Sequence, residues 1–250
     1  MNGLTLTVLG SAGTHPGPGR ACSSYLLESE GYRLLLDCGN GSLANLQRHI
    51  GAAEIDALIV SHLHPDHFAD LYGLYYARRF HPDGPRPLDV YAPSGARERI
   101  GSLIPGDETF PLICRFRDAA AGDRLHLGPF EVTLSAARHS TPTLASRVRA
   151  HDAVLAYSAD SAPTPELVSC ANDADVFLCE ATWLDAMGPW PEGTHMTGAE
   201  AGQVAADAGA GRLMVTHVLP TFRPGDVVAE ASQTFDGEVL AAEDGQEIPL

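Results

Sequence analysis

Ser61-His62-Leu63-His64-Pro65-Asp66-His67 places three imidazoles and a carboxylate within six residues, directly after the apolar run 55–60. A run of that kind reads as a buried strand, and a strand that stops at a polar cluster delivers the cluster to a sheet edge. Alternation at the strand end points His62 and His64 the same way, and the turn that follows lets Asp66 and His67 face a neighbouring point. Imidazole and carboxylate suit zinc, iron or manganese, and no cysteine stands among them. Four ligands on so short a segment do not easily reach one ion. Two adjacent metals explain the pattern better than one.

Further ligands are expected at other strand ends. Arg138-His139-Ser140 follows a predicted strand over 130–136, and Tyr157-Ser158-Ala159-Asp160 closes one over 154–158. Val215-Thr216-His217 repeats the pattern of Val60-Ser61-His62, an apolar strand passing through a hydroxyl residue into a histidine. Any one of these histidines alone reads as a surface or core residue. The ordered set His62, His64, Asp66, His67, His139, Asp160 and His217 reads as a binuclear metal site.

The rest of the pattern alternates strands with helices. Strands are expected over 4–9, 24–27, 32–36, 88–91, 176–179 and 213–216, and helices over 68–80, 96–103, 165–171, 197–208 and 227–235. The aromatic stripe on 68–80 reads as packing, in the core or between subunits. No Pro/Gly/Ser linker divides the 250 residues, so a single domain over 1–250 is expected, an α+β sandwich with sheet on sheet and helices outside.

Composition narrows the chemistry. The 16 basic residues are all arginine and stand against 32 acidic ones, a formal charge of −16. Extended nucleic acid is held by many cationic side chains, so this balance argues against it as a partner. Without lysine there is no Schiff-base or P-loop chemistry. Five scattered cysteines with no C-x-x-C pair are not a disulfide framework. No apolar run reaches the ~20 residues of a membrane span, and the first ten residues lack the pattern of a secretory signal. A soluble cytoplasmic protein is expected.

On these residues the sequence resembles the metallo-β-lactamase superfamily over nearly its whole length. The resemblance implies a four-layer αββα sandwich with two divalent ions at one edge, Zn2+ in the first instance and Mn2+ or Fe2+ as alternatives. It implies that His62, His64 and His139 hold the first ion, that Asp66, His67 and His217 hold the second, and that Asp160 bridges them. Asp37, in Leu36-Asp37-Cys38-Gly39, matches the family's aspartate that orients the histidine loop. True β-lactamases carry cysteine at the position of Asp160, which disfavours antibiotic hydrolysis.

A second motif points to one branch. Cys179-Glu180-Ala181-Thr182-Trp183 ends a predicted strand, and Thr197 with Glu200 forms a T-x-x-E capping box that holds His195 just before a helix. The pair Glu180 and His195 looks like that of the ribonuclease Z branch. By that likeness His195, Glu180 and Asp66 are the catalytic residues, with His195 donating a proton to the leaving alkoxide. Ribonuclease Z clamps tRNA with a basic arm between the residues matching His139 and Asp160, and no such arm is present here. The run through Arg78-Arg79-Phe80-His81-Pro82 and Thr194-His195-Met196-Thr197-Gly198 is similar to short actinobacterial relatives described as cyclic-nucleotide phosphodiesterases.

The implied activity is hydrolysis of a small phosphodiester, a 3′,5′-cyclic nucleotide foremost, by a metal-bridging hydroxide. A thioesterase or lactonase using the same hydroxide is the alternative, ahead of a tRNA 3′-processing endonuclease and a silent metal-binding protein. Arg147 and His15 are further candidates for substrate contact. A homodimer through the helix carrying Tyr72, Tyr75 and Tyr76 is consistent with the family.

Overall fold

The computed structural model describes residues 3–250. Strands β1 (Thr5–Gly10), β2 (Ser24–Ser29), β3 (Tyr32–Leu36), β4 (Ala57–Ile59), β5 (Leu88–Ala92) and β6 (Cys114–Asp118) build the first sheet. Strands β7 (Arg124–Leu127), β8 (Phe130–Ala137), β9 (Thr143–Ala150), β10 (Ala153–Tyr157), β11 (Val176–Glu180), β12 (Arg212–Thr216) and β13 (Glu238–Ala241) build the second. The last strand, β14 (Glu247–Pro249), returns to the first, giving the orders β14-β1-β2-β3-β4-β5-β6 and β13-β12-β11-β10-β9-β8-β7.

Period-two alternation explains why both faces of each sheet are covered. On β1 to β3, Leu6, Val8, Tyr25, Leu27, Leu34 and Leu36 face the core between the sheets, while Leu9, Leu26 and Leu35 face an outer core. That outer core packs on α1 (Ser42–Leu46), α2 (Pro65–Phe68), α3 (Leu71–Arg79), α4 (Ala96–Gly101) and α5 (Phe110–Ile113). On the other sheet Val176, Leu178 and Met214 face inward. Phe177, Cys179, Leu213 and Val215 face α6 (Pro165–Ala171), α7 (Gly198–Ala208) and α8 (Pro224–Ala231). Strands apolar on both faces require a layer on each side, and the result is the expected αββα sandwich.

Direction matters more than layering for the site. β3 runs parallel to β4, and β10, β11 and β12 run parallel to one another. β1 and β8 share those directions through antiparallel partners on each side. The carboxyl ends of all seven strands therefore gather along one edge of the sandwich, where open α/β sheets place their ligands.

Several boundaries differ from the sequence expectation. β4 ends at Ile59, so His62 and His64 lie in a loop and not at a strand end, and His64 caps α2. The helix expected over 68–80 breaks at Ala69 and Asp70 into α2 and α3. Its aromatic stripe divides: Tyr75 is fully buried while Tyr72 and Phe80 are exposed. β6, β7, β9, β13, β14, α1 and α5 were not expected, because the strands are short or carry polar residues such as Ser146 and Arg147 on β9. The hairpin between β2 and β3 forms around Glu30 and Gly31, both at positive φ, the conformation of a tight primed turn. The five cysteines are buried and free, and no described helix is long and apolar enough to cross a membrane.

Arg78 ties α3 to the sheet without a carboxylate partner. Its guanidinium donates to the carbonyls of Arg86 (2.7 Å), Pro87 (2.9 Å), Ala52 (3.0 Å) and Ile55 (3.1 Å), and burial draws its pKa down to about 10. Replacing it leaves carbonyls unpartnered beneath the helix. Arg78→Met is expected to cost about 2–3 kcal/mol, a fall in Tm of roughly 5–10 °C for a chain of this size. Thermal unfolding checks it, and an unchanged Tm would exclude the tethering role.

Candidate metal centre

Each carboxyl-end loop contributes one or more side chains to a single cleft. His62, His64, Asp66 and His67 come from the loop after β4 and from α2, and His139 follows β8. Asp160 follows β10, and His217 follows β12. The seven candidates meet as two groups that share Asp160.

In the first group, Nδ1 of His64 lies 3.0 Å from Nε2 of both His62 and His139. Oδ2 of Asp160 is 3.6 Å from His62 Nε2 and 3.8 Å from His139 Nε2. In the second, Nε2 of His67 and Nε2 of His217 are 3.3 Å apart, and each is 3.2–3.3 Å from Oδ1 of Asp160. Asp66 Oδ2 completes that group at 3.2 Å from His217 Nε2 and 3.7 Å from His67 Nε2. The two oxygens of Asp160 thus face one group each.

The arrangement fits cations. Donors on a tetrahedron with bonds of about 2.0–2.1 Å stand roughly 3.3–3.4 Å apart, the spacing found here. Asp160 Oδ1 is buried and has no hydrogen-bond partner. Burial, reinforced by the surrounding imidazoles, pushes the pKa of His62, His64 and His139 below the ordinary value, so these rings are neutral with free lone pairs. That is the state metal binding requires. His67 goes the other way: burial opposes protonation, but Asp160 and Asp37 outweigh it and raise the pKa well above normal. Asp160 and Asp66 are held low although burial opposes ionisation, Asp160 chiefly by His217 and His67, Asp66 by its hydrogen bond to His217.

A surrounding layer of hydrogen bonds fixes the rings. Asp37, fully buried, accepts from the Ser61 amide (2.7 Å), the Ser61 hydroxyl (2.8 Å), the Tyr157 hydroxyl (2.7 Å) and His67 Nδ1 (2.8 Å). His139 Nδ1 donates to the Thr194 carbonyl at 2.6 Å. His217 Nδ1 lies 2.8 Å from the Thr182 hydroxyl, whose own proton goes to Glu180 Oε2 at 2.7 Å. In each case the bond leaves the other ring nitrogen, Nε2, free to face the cleft. The Thr14 amide donates to Asp66 Oδ2 at 2.9 Å, tying the glycine-rich loop after β1 to the site. Gly13 is required there, since a Cβ would lie 2.3 Å from the His217 carbonyl oxygen.

Glu180 and His195 stand beside the second group. His195 Nδ1 is 2.9 Å from Glu180 Oε1. Glu180 also accepts from the amides of Ser161 (2.8 Å), Thr182 (3.2 Å) and Met196 (3.3 Å). With its oxygens so engaged, Glu180 orients and does not ligate. Burial alone would lower the His195 pKa, but the charge and hydrogen bond of Glu180 push it up to about 9. The expected capping box is present, with Thr197 accepting from the Glu200 amide (3.2 Å) and Glu200 from the Thr197 amide (2.9 Å). His195, Asp66, His64, His139, Asp160 and His217 line the same cavity of about 470 Å3.

Arg147 does not reach this cleft: it sits on β9 and donates to the Cys170 carbonyl at 2.9 Å, so the suggested substrate contact is withdrawn. His15 is exposed at the rim loop, its Nδ1 3.0 Å from the Pro16 carbonyl. Thr182, Tyr157, the Thr14 amide and the Thr194 carbonyl were given no role from the sequence. Thr182 and Tyr157 lay inside motifs already singled out, but only the fold shows what they touch.

The Beta-lactamase superfamily domain matches residues 32–218. The chain is 38% identical over 245 residues to the uncharacterized protein Rv1339 of Mycobacterium tuberculosis, covering 95% of this chain and 89% of that one. It is 32% identical over 246 residues to the "Probable metallo-hydrolase YhfI" of Bacillus subtilis, covering 97% and 98%. The crystal structure of YhfI superposes with a TM-score of 0.90 at 29% identity over the whole of both chains. A ribonuclease Z of Halorubrum lacusprofundi is 30% identical over 306 aligned positions, covering 99% and 98%, and so carries segments that the 250 residues here lack. The two shared-aspartate donor groups on an αββα sandwich and the match across three quarters of the sequence lead to one conclusion: the chain belongs to the metallo-β-lactamase superfamily, in its ribonuclease Z-like branch.

Proposed function

We propose that this metallo-hydrolase is a phosphodiesterase for small phosphodiesters, with a 3′,5′-cyclic nucleotide as the foremost substrate. The observation that carries the reading is the His195–Glu180 pair set against the second donor group, facing the same cleft. A thioesterase expels a thiolate, which departs without a proton and has little need of a buried, carboxylate-backed donor at that place. The missing ribonuclease Z segments and the charge of −16 fit a small substrate better than tRNA.

His62, His64 and His139 would hold one divalent ion and Asp66, His67 and His217 the other, with Asp160 between them. Bound there, such ions, Zn2+ in the first instance, supply Lewis acidity that acidifies a water and neutralises charge on phosphate oxygens. The protein's own part is orientation and proton transfer. Attack of a hydroxide oxygen on phosphorus forms one P–O bond as the bond to the ribose 3′-oxygen breaks; His195 delivers its Nε2 proton to that oxygen, leaving a 5′-monophosphate, and is reprotonated by the proton that the attacking water gave up. Glu180 holds Nδ1 and stabilises the charged ring before transfer. Ions held nearby would lower the raised pKa of His195 and so favour release of its proton.

Two experiments test this. Protein stripped with a chelator and reloaded with Zn2+ at a hundredfold excess over Kd should gain about 2.7 kcal/mol for each ion bound, or roughly 5–10 °C in Tm per ion. Metal analysis should find two ions per chain, and no gain in either quantity would remove the metal centre. With bis(p-nitrophenyl) phosphate and cyclic AMP as substrates, His195→Ala should keep its metal and lose turnover by about a hundredfold or more. Asp160→Ala should lose metal as well. Turnover of acyl thioesters alone would replace this reading with the thioesterase one.

A further inference from the structure

A second cavity, of about 420 Å3, adjoins the metal cleft at His195. The two share Trp183, Pro191 and His195 as lining, so a substrate group that extends past the proton donor enters it. Resting on the phosphodiesterase reading, we propose that this cavity is the base pocket, taking the heteroaromatic base of a nucleotide, with Trp183, Trp190 and Arg138 as its specificity residues.

The walls define the ligand's chemistry. Trp183 and Trp190 stack with ring centroids 4.5 Å apart and planes 7° from parallel, and Trp183 meets His195 edge to face at 5.4 Å. Phe222 braces Trp190 from the side at 5.9 Å. The stack is therefore a fixed apolar wall joined to the proton donor. Arg138 lines the cavity, and its guanidinium makes no ion pair or hydrogen bond among the described residues. It lies against Gly193, where a Cβ would stand 3.2 Å from Nε, so glycine keeps the approach open. The Trp183 indole N–H is buried without an acceptor. Asp185, Glu192 and Glu200 also line the space.

These groups discriminate among ligand classes. A second phosphate or other anionic tail would meet three carboxylates. An aliphatic group would leave the guanidinium unpaired. A nucleobase presents a flat apolar body to the tryptophan wall, ring and carbonyl acceptors to Arg138, and exocyclic amino donors to the carboxylates. The volume falls within the ordinary range of small-molecule sites, about 300–1,000 Å3.

The chain contains only two tryptophans, and both are in this wall. Its intrinsic tryptophan fluorescence therefore reports on this wall, and because Trp183 also borders the metal cleft, ribose 5-phosphate supplies the signal of that cleft occupied without a base. Metal-loaded protein titrated with AMP should show a saturable fluorescence change, and ribose 5-phosphate, which carries the phosphate without the base, should bind roughly tenfold or more weakly. Arg138→Ala, an exposed substitution, should weaken AMP about tenfold with Tm unchanged, and Trp190→Phe should restore what Trp190→Ala loses. Equal affinity for AMP and ribose 5-phosphate, no saturable change with AMP, or an Arg138→Ala variant that binds AMP like the wild type would each overturn the base pocket. Failure to hydrolyse any phosphodiester removes the catalytic reading separately, because the titration measures base recognition without turnover.

Discussion

A single buried carboxylate, Asp37, holds the active edge together. It stands just past the end of β3 and collects four donors: two from Ser61, one from His67 and one from Tyr157 on the opposite sheet. A carboxylate with no solvent contact is tolerated only when its lone pairs are satisfied in this way. The consequence is geometric. The histidine loop after β4, the start of α2 and the carboxyl end of β10 are all referred to one fixed point, and the donor atoms inherit that precision. The backbone shows the strain of such an arrangement, since Thr14, Asp37, Ala159 and His217, none of them glycine, all take positive φ around the cleft.

Electrostatics and topology reinforce each other. An acidic chain gathers three aspartates and a glutamate at the edge where seven strands end, together with six imidazoles. The shifts within that group are not uniform: burial and neighbouring rings draw the pKa of His62 down, and Asp160 and Asp37 draw that of His67 up against burial. The cleft is thus prepared for positive charge by its carboxylates and for coordination by its neutral imidazoles. On the proposed reading an anionic substrate needs no basic surface, because ions held in this cleft would supply the charge.

The sequence carried much of this, for identifiable reasons. His62, His64, Asp66, His67, His139, Asp160 and His217 were visible because each follows an apolar run, and apolar runs are the strongest local signal of a strand. The capping box of Thr197 and Glu200 was visible because both its halves are local. Contacts between distant segments were not, such as Tyr157 on Asp37 or Thr182 between Glu180 and His217. No periodicity encodes a meeting of residues 120 positions apart. The polar strand β9 and the break between α2 and α3 were hidden for the opposite reason: tertiary packing overrode a weak or misleading local pattern.

Glu180 serves two histidines at once, His195 directly and His217 through the Thr182 hydroxyl. In the proposed mechanism proton delivery and ion holding consequently have a common ground, and neither can be retuned at that carboxylate without disturbing the other. Divergence towards new leaving groups is left to the segment from Leu184 to Gly193, which borders the cleft and makes none of the hydrogen bonds that fix its histidines. A conserved reaction core paired with a freely drifting rim is the evolutionary signature such wiring would leave.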